Sequence, residues 1–197
     1  MKRLIRTMPS IFVVVTALAG SPRALAEEPS MDAAPETMDL SNVYVQFKVR
    51  VLGLISIIGH FDRLFGALTN DTQSDTTAVR MRIDATSVNT DDKSRDDYLR
   101  GPTFFATDRY PDITFSGFCL SRGRNGGKQL VGNLKLRGRS RPVVFDIESL
   151  ELKPGRGTAV YQAKTVIRRS EFGLNALEHV ISDEIEITVA MNTGSAE

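Results

Sequence analysis

In NVYVQFKVRV (Asn42–Val51) Val43, Val45, Phe47, Val49 and Val51 fall on one side, and Tyr44, Gln46, Lys48 and Arg50 on the other. Successive side chains of an extended chain point to opposite faces, so this run reads as a strand with one buried face. The same period recurs along most of the sequence. Strands are predicted near Ile57–Thr69, Thr77–Ala85, Asp112–Leu120, Gln129–Leu136, Val143–Leu152, Thr158–Ile167 and Glu184–Met191, making eight with the first. Turn-forming residues separate several of them, at Asn70-Asp71, Gly123–Gly127 and Pro154–Gly157. With almost no helical pattern in between, consecutive strands pair antiparallel. Gly59, Gly66 and Gly132, inside strand patterns, predict the sharp bends that a closing barrel needs.

Both ends of the sequence read differently. Basic MKRLIR, the short apolar run Ile11–Gly20 and small residues at Ala24-Leu25-Ala26 predict a secretory signal peptide over residues 1–26, cleaved after Ala26. Its apolar part is too short for a membrane span. No cysteine near Ala26 offers a lipid-attachment site, and no twin-arginine pair is present. Residues 27–39 (EEPSMDAAPETMD) read as a flexible arm, residues 40–192 as the folded domain and residues 193–197 as a tail. Removing the leader takes away Lys2, Arg3, Arg6 and Arg23 and no acid. The 25 basic residues become 21 against 24 acids, a net charge of about −3. That balance argues against nucleic acid or an anionic membrane as the main partner. Cys119 is the single cysteine, so an exported product has no internal disulfide and relies on its core and sheet hydrogen bonds.

One helix is predicted, over about residues 91–100. Thr90 is the expected cap, Asp91 and Asp92 lie in the first turn, Arg95 and Arg100 follow, and Gly101-Pro102 stops it. A helix this short is marginal alone and must dock, with Tyr98 and Leu99 as its main apolar side chains. Phe104 and Phe105 follow outside any regular period. They read as anchors that pin a helix-and-loop flap onto one end of the sheet, since large rings stabilise a fold when buried.

Residues suited to catalysis are sparse. His60 falls in a strand, and His179 lies beside Glu178 with no further ligand at metal-binding spacing. Cys119 shares the alternation of Ile113, Phe115 and Gly117, which makes it a small buried hydrophobe. Arg95-Asp96 reads as a head-group contact, as a helix-surface pair or as an anchor of the flap. Arg137, Arg139 and Arg141 make a basic patch that either meets a phosphate or is a solvated edge discouraging strand pairing. Asn125-Gly126-Gly127 is a hairpin loop rather than a phosphate cradle, because no helix follows it. No catalytic residue, metal site or cofactor is assigned.

Several ordered motifs then carry a resemblance. They are Leu52-Gly53-Leu54 with Gly59-His60-Phe61, Arg95-Asp96 with Leu99 and Phe104-Phe105, and Tyr110-Pro111 with Thr114-Phe115. Next come Gly132-Asn133-Leu134-Lys135-Leu136-Arg137-Gly138, Arg141-Pro142-Val143 and Arg169-Ser170-Glu171-Phe172-Gly173. In this order the chain resembles the YceI-like family of exported bacterial lipid-binding proteins. Two departures are Tyr98, where the family often has histidine, and Ile57-Ile58, where a polar residue is common. The resemblance implies an all-β fold, an eight-stranded antiparallel lipocalin-like barrel with a flap at one end. It also implies a periplasmic location, no enzymatic activity and a homodimer. The implied ligand is an isoprenoid quinone, a polyprenyl phosphate or a fatty-acid derivative held in an apolar tunnel. The residues expected to touch it are Phe47, Val49, Ile83, Leu99, Phe104, Phe105, Phe115, Leu134, Phe145, Ile167, Phe172, Ile185 and Ile187. Further inward positions by alternation are Val45, Met81, Ile113, Leu136 and Ile147. Alternation by itself does not separate a hollow from a filled core. The alternative is an envelope interaction module with a filled barrel and no ligand.

Overall fold

The computed structural model describes residues 43–71, 76–120, 127–151 and 159–192. The expected signal peptide, arm and tail lie outside these, as do residues 72–75, 121–126 and 152–158. In chain order the elements are β1 (Val43–Val51), β2 (Ile55–Phe61), β3 (Leu64–Asp71), β4 (Thr76–Asp84), a 3-10 turn (Ala85–Ser87) and β5 (Val88–Asn89). There follow α1 (Lys93–Arg100), β6 (Asp112–Leu120), β7 (Lys128–Leu136), β8 (Arg139–Glu151), β9 (Ala159–Arg168), a second 3-10 turn (Arg169–Phe172) and β10 (Ile181–Asn192). All strands belong to one sheet, in the order β3-β4-β6-β7-β8-β9-β10-β1-β2-β5, with every ladder antiparallel.

Ten strands replace the eight expected, for two reasons. The strand predicted over Ile57–Thr69 changes partner midway: β2 pairs with β1, whereas β3 pairs with β4 on the far side of the sheet. Only Asp62 and Arg63 separate them, so the chain itself joins the two ends of the sheet and curls it round an interior. Gly66 sits opposite Met81 in the β3–β4 ladder. The short β5, pairing with His60 and Phe61, is the tenth strand. Asn70-Asp71, expected as a turn, closes β3 instead.

The corner is held by the first 3-10 turn. The Asp62 backbone N–H donates to the Ser87 carbonyl, and the Asp84 N–H donates to the Arg63 carbonyl. Arg63 donates from Nε to Asp84 Oδ2 at 2.9 Å and from a terminal nitrogen to Thr86 Oγ1 at 2.7 Å. Burial alone raises the Asp84 carboxyl pKa. Hydrogen bonds from the Thr86 hydroxyl and backbone, with the Arg63 guanidinium, outweigh burial and hold it below the ordinary carboxylate value. A carboxyl with a depressed folded pKa adds stability above its unfolded pKa, about 3.9, and that contribution is lost as pH falls through the folded value. Asp84→Asn is expected to lower the urea midpoint at pH 7, with the gap to wild type narrowing below about pH 4. A gap that stays constant down to acid pH contradicts this account.

Two close approaches coil the sheet. Gly59 faces Phe47 across β1 and β2, and a Cβ there meets the Phe47 ring at 2.4 Å. Gly117 and Gly132 pair across β6 and β7 beneath the Phe115 ring, which reaches within 2.8 Å and 2.6 Å of their Cβ positions. Aromatic rings laid over strand glycines give the sheet curvature without leaving bare backbone.

The helix begins at Lys93, two residues later than expected, and its cap is Asp92, whose side chain accepts from the Arg95 N–H. Thr90 is occupied otherwise: its N–H and hydroxyl both donate to the buried Asp96 carboxylate, at 2.9 Å and 2.6 Å. Arg95 Nε donates to the Thr90 hydroxyl at 2.8 Å. Arg100 donates to the carbonyls of Thr86 and Val88. Arg95 and Asp96 therefore fasten α1 to Thr90, just after β5, as an anchor does.

Candidate functional site

The inner face of the curled sheet is lined by the alternating apolar positions, and the space between them is not filled. A central cavity of about 100 Å³ has walls that include Val45, Phe47, Phe61, Phe115, Phe145 and Ile167. Towards the flap lies a second cavity, of about 260 Å³, bounded by Val49, Val51, Ile57, Tyr98, Leu99, Phe104, Leu177 and Ile181. Towards the opposite end is a third, of about 210 Å³, bounded by Val43, Leu68, Cys119, Ile147, Tyr161 and Met191. The three adjoin. Phe47, Leu174 and Ile185 are shared by the first two, and Val79, Met81, Leu130 and Val189 by the first and third.

The central cavity has the smallest volume of the three, and aromatic rings meet there. Phe115 and Phe145 stack edge-on at 5.6 Å, Phe47 and Phe61 lie 5.7 Å apart, and Phe61 and Phe105 lie 5.9 Å apart. The adjacent phenylalanines divide their work. Phe104 turns under Tyr98, with ring centroids 5.2 Å apart, and lines the flap-end cavity. Phe105 turns the other way, onto Phe61, and lines the central one. The flap is hydrogen-bonded throughout, with Phe105 N–H donating to Leu99, Ala106 N–H to Gly101 and Thr107 N–H to Arg100.

Phe47, Val49, Ile83, Leu99, Phe104, Phe105, Phe115, Leu134, Phe145, Ile167, Ile185 and Ile187 all line the central or the flap-end cavity. The structure does not bring Phe172 there. It is 1% exposed and borders two outward clefts instead. Strands β8 and β9 pair only from Asp146 and Lys164 downward, leaving Arg139–Phe145 and Thr165–Arg168 splayed at the flap end. Phe172 fills the space beside that splay, next to Val143 and Ile167. It closes the wall rather than facing the hollow.

Charge reaches the hollow at its two ends and not at its centre. Among the described residues lining the central cavity none is charged, whereas Arg95 and Arg169 reach the flap-end one, and Arg80 the opposite end. Arg169, 3% exposed, donates to four backbone carbonyls: Leu174, Ala176 (2.8 Å), Ile181 (3.0 Å) and Ser182 (3.0 Å). A buried guanidinium is tolerated when its N–H groups find such acceptors. It gathers the Gly173–Ser182 segment over the barrel mouth. The motif carrying Arg169 was legible, but its role was not. Its signal was parity: Ala163, Thr165 and Ile167 point inward, and Arg169 continues the same period.

The remaining candidates are dispersed. His60 lies 3.1 Å from Asp62 on the barrel wall, and His179 is exposed beside Glu178 at 3.6 Å. No group of three or more His, Cys, Asp or Glu side chains with metal-binding geometry occurs among the described residues. Cys119 is half-buried in the wall of the third cavity rather than fully enclosed, and burial pushes its thiol pKa up. That disfavours the thiolate that nucleophilic chemistry needs.

Sequence and fold are both shared with known proteins. Residues 37–193 match the model of the YceI-like domain. A UPF0312 protein of Pectobacterium carotovorum is 27% identical over 181 residues, covering 90% of this chain and 91% of the relative. Among solved structures, BcnA of Burkholderia cenocepacia superposes with a TM-score of 0.66 at 21% identity, covering 79% of this chain and 99% of that one. A polyisoprenoid binding domain from Saccharophagus degradans, implicated in plant cell wall breakdown, superposes at 0.60 with 17% identity, covering 79% and 95%. With its ordered motifs, its fold and a domain match spanning most of its length, the chain belongs to the YceI-like family.

Proposed function

We propose that this protein binds an elongated amphiphilic lipid, its tail lying along the interior of the barrel, and that it acts as a carrier or store rather than as an enzyme. The observation that carries this reading is the series of three adjoining apolar cavities along the barrel axis. The solved relative described as a polyisoprenoid binding domain supports an isoprenoid as the ligand class.

The energetics favour a long chain. Each buried methylene gives about 0.8 kcal/mol, so one five-carbon unit contributes roughly 3–4 kcal/mol gross. Association costs about 4–15 kcal/mol, so several units must be buried before binding is useful. A row of cavities meets that need better than any single one. The tail passes the aromatic waist by displacing Met81, whose unbranched side chain adapts at low cost, together with the rings around it.

The signal-peptide pattern of residues 1–26 supports export to the periplasm. Among the described residues no helix is long and apolar enough to cross a membrane. A homodimer belongs to the same proposal.

The narrow waist favours the second reading, a largely filled barrel that serves as an interaction module. One experiment separates the two. Protein purified without detergent and extracted with organic solvent is expected to release about one long-chain lipid per chain by mass spectrometry. Repeated extraction with no stoichiometric lipid, and no uptake of added isoprenoid quinone or polyprenyl phosphate, refutes the carrier reading.

A further inference from the structure

An outward cleft of about 430 Å³ lies at the flap end, between the loop after α1 (Pro102, Ala106, Asp108, Arg109, Tyr110), the β7–β8 turn (Arg137, Arg139) and the second 3-10 turn (Phe172, Gly173). It shares no lining residue with the three apolar cavities. Phe172 and the wall it closes stand between them.

Three guanidinium groups border this cleft, and each is held in place by something other than an acid. Arg137 donates to the Gly173 carbonyl and, at 2.8 Å, to the Pro102 carbonyl, bridging the hairpin turn to the flap. Arg139 lies against Gly173, where an added Cβ comes within 2.9 Å of its Cζ, so the absence of a side chain there sets its position. Arg109 lies over the Tyr110 ring at 5.4 Å, and that ring itself rests on Gly138. Elsewhere on the barrel the charges neutralise one another, as in Lys48–Glu186, Arg63–Asp84 and Lys164–Glu148. Arg109, Arg137 and Arg139 make no ion pair among the described residues, and Asp108 is the single acid bordering the cleft.

We propose that this cleft is a binding site for a phosphate group, a phosphomonoester or a pyrophosphate, gripped by the guanidinium forks of Arg109 and Arg139, with Arg137 as a fixed third positive charge. A guanidinium presents paired N–H donors at the spacing of two oxygens on one phosphorus, which favours phosphate over a point-charge partner. Two such forks and a third cation suit a dianion better than a monoanionic carboxylate. Preordering by Gly173 and Tyr110 lowers the side-chain entropy lost on binding. The group arrives from outside, either as a soluble phosphoryl compound or as the head group of a lipid at a bilayer surface. The site does not depend on what occupies the barrel interior.

The test uses the leader-free chain labelled with nitrogen-15, titrated at low and moderate salt with pyrophosphate, inorganic phosphate, and vesicles of phosphatidylcholine with or without phosphatidate. The expected result is saturable movement of the Arg109 and Arg139 side-chain Nε–H signals and the Gly173 amide. Arg109→Gln with Arg139→Gln weakens binding at least about tenfold, while Lys128→Gln on β7, at the opposite end, leaves it unchanged. Saturation by pyrophosphate alone identifies a soluble ligand, and binding confined to phosphatidate vesicles identifies a lipid head group. Both outcomes support the site. It is overturned if no probe saturates, or if the double variant and Lys128→Gln bind as wild type does. A Gly173 amide that stays still while signals elsewhere move also overturns it. Because the double variant changes exposed side chains only, its fold is checked by an otherwise unaltered amide spectrum.

Discussion

Arg169→Met is expected to lower the free energy of unfolding by roughly 3–5 kcal/mol, because several buried backbone carbonyls lose their donor at once. The methionine fills much of the same volume, so the loss is not one of packing. The carbonyls of Leu174, Ala176, Ile181 and Ser182 lose a shared donor inside the protein. Each unsatisfied buried acceptor costs about 1–3 kcal/mol before local relaxation. The damage is local first. Amide hydrogen exchange of residues 173–182 is expected to speed up more than that of β6 and β7, and the flap-end cavity loses a defined wall. Urea denaturation within about 1 kcal/mol of wild type, with unchanged exchange in that segment, contradicts the role given to this arginine.

Ile167→Asp carries the second large effect, on the proposed ligand binding, read per folded chain because a buried carboxylate also costs stability. Ile167 is 6% exposed and lines the central cavity, where no charged residue lies in the wall. A carboxylate there finds no partner, and an apolar tail beside it loses the contact that made the site favourable. Lipid recovered per folded chain is expected to fall to less than about a tenth of the wild-type amount, the consequence of as little as 1.4 kcal/mol. Ile187→Gln provides the companion measurement. It lies half-buried on the same cavity, and its uncharged side chain puts less strain on folding. Unaltered lipid uptake by both variants, each shown to be folded, removes the tail from the barrel interior.

Much of this architecture was legible because the strand period is a local property. Alternation put Val45, Phe47, Val49, Ile83, Phe115, Leu134, Phe145, Ile185 and Ile187 on the inward face, and each lines a cavity. Phe172, expected at the ligand from the resemblance and not from alternation, lies in a 3-10 turn where the period of two no longer holds. Asp96 shows a further limit. It shares a helix face with Leu99, three residues on, and that spacing alone hints at a buried carboxylate. Only the fold reveals that Thr90 supplies its hydrogen bonds.

By itself the sequence determined that the chain makes an antiparallel sheet with one apolar face, interrupted by a short capped helix and an aromatic pair. These depend on interactions within a few residues, which a linear pattern records. The tertiary structure decided that the second strand changes partners at Asp62-Arg63 and so joins the sheet's two ends. It also decided that the rings meet at a waist without filling the space beyond it, and that Arg109 joins Arg137 and Arg139 of a different turn at one outward cleft. Those features depend on closure, on volume left over and on charges brought together from distant positions. Such quantities exist only once the chain has folded in three dimensions.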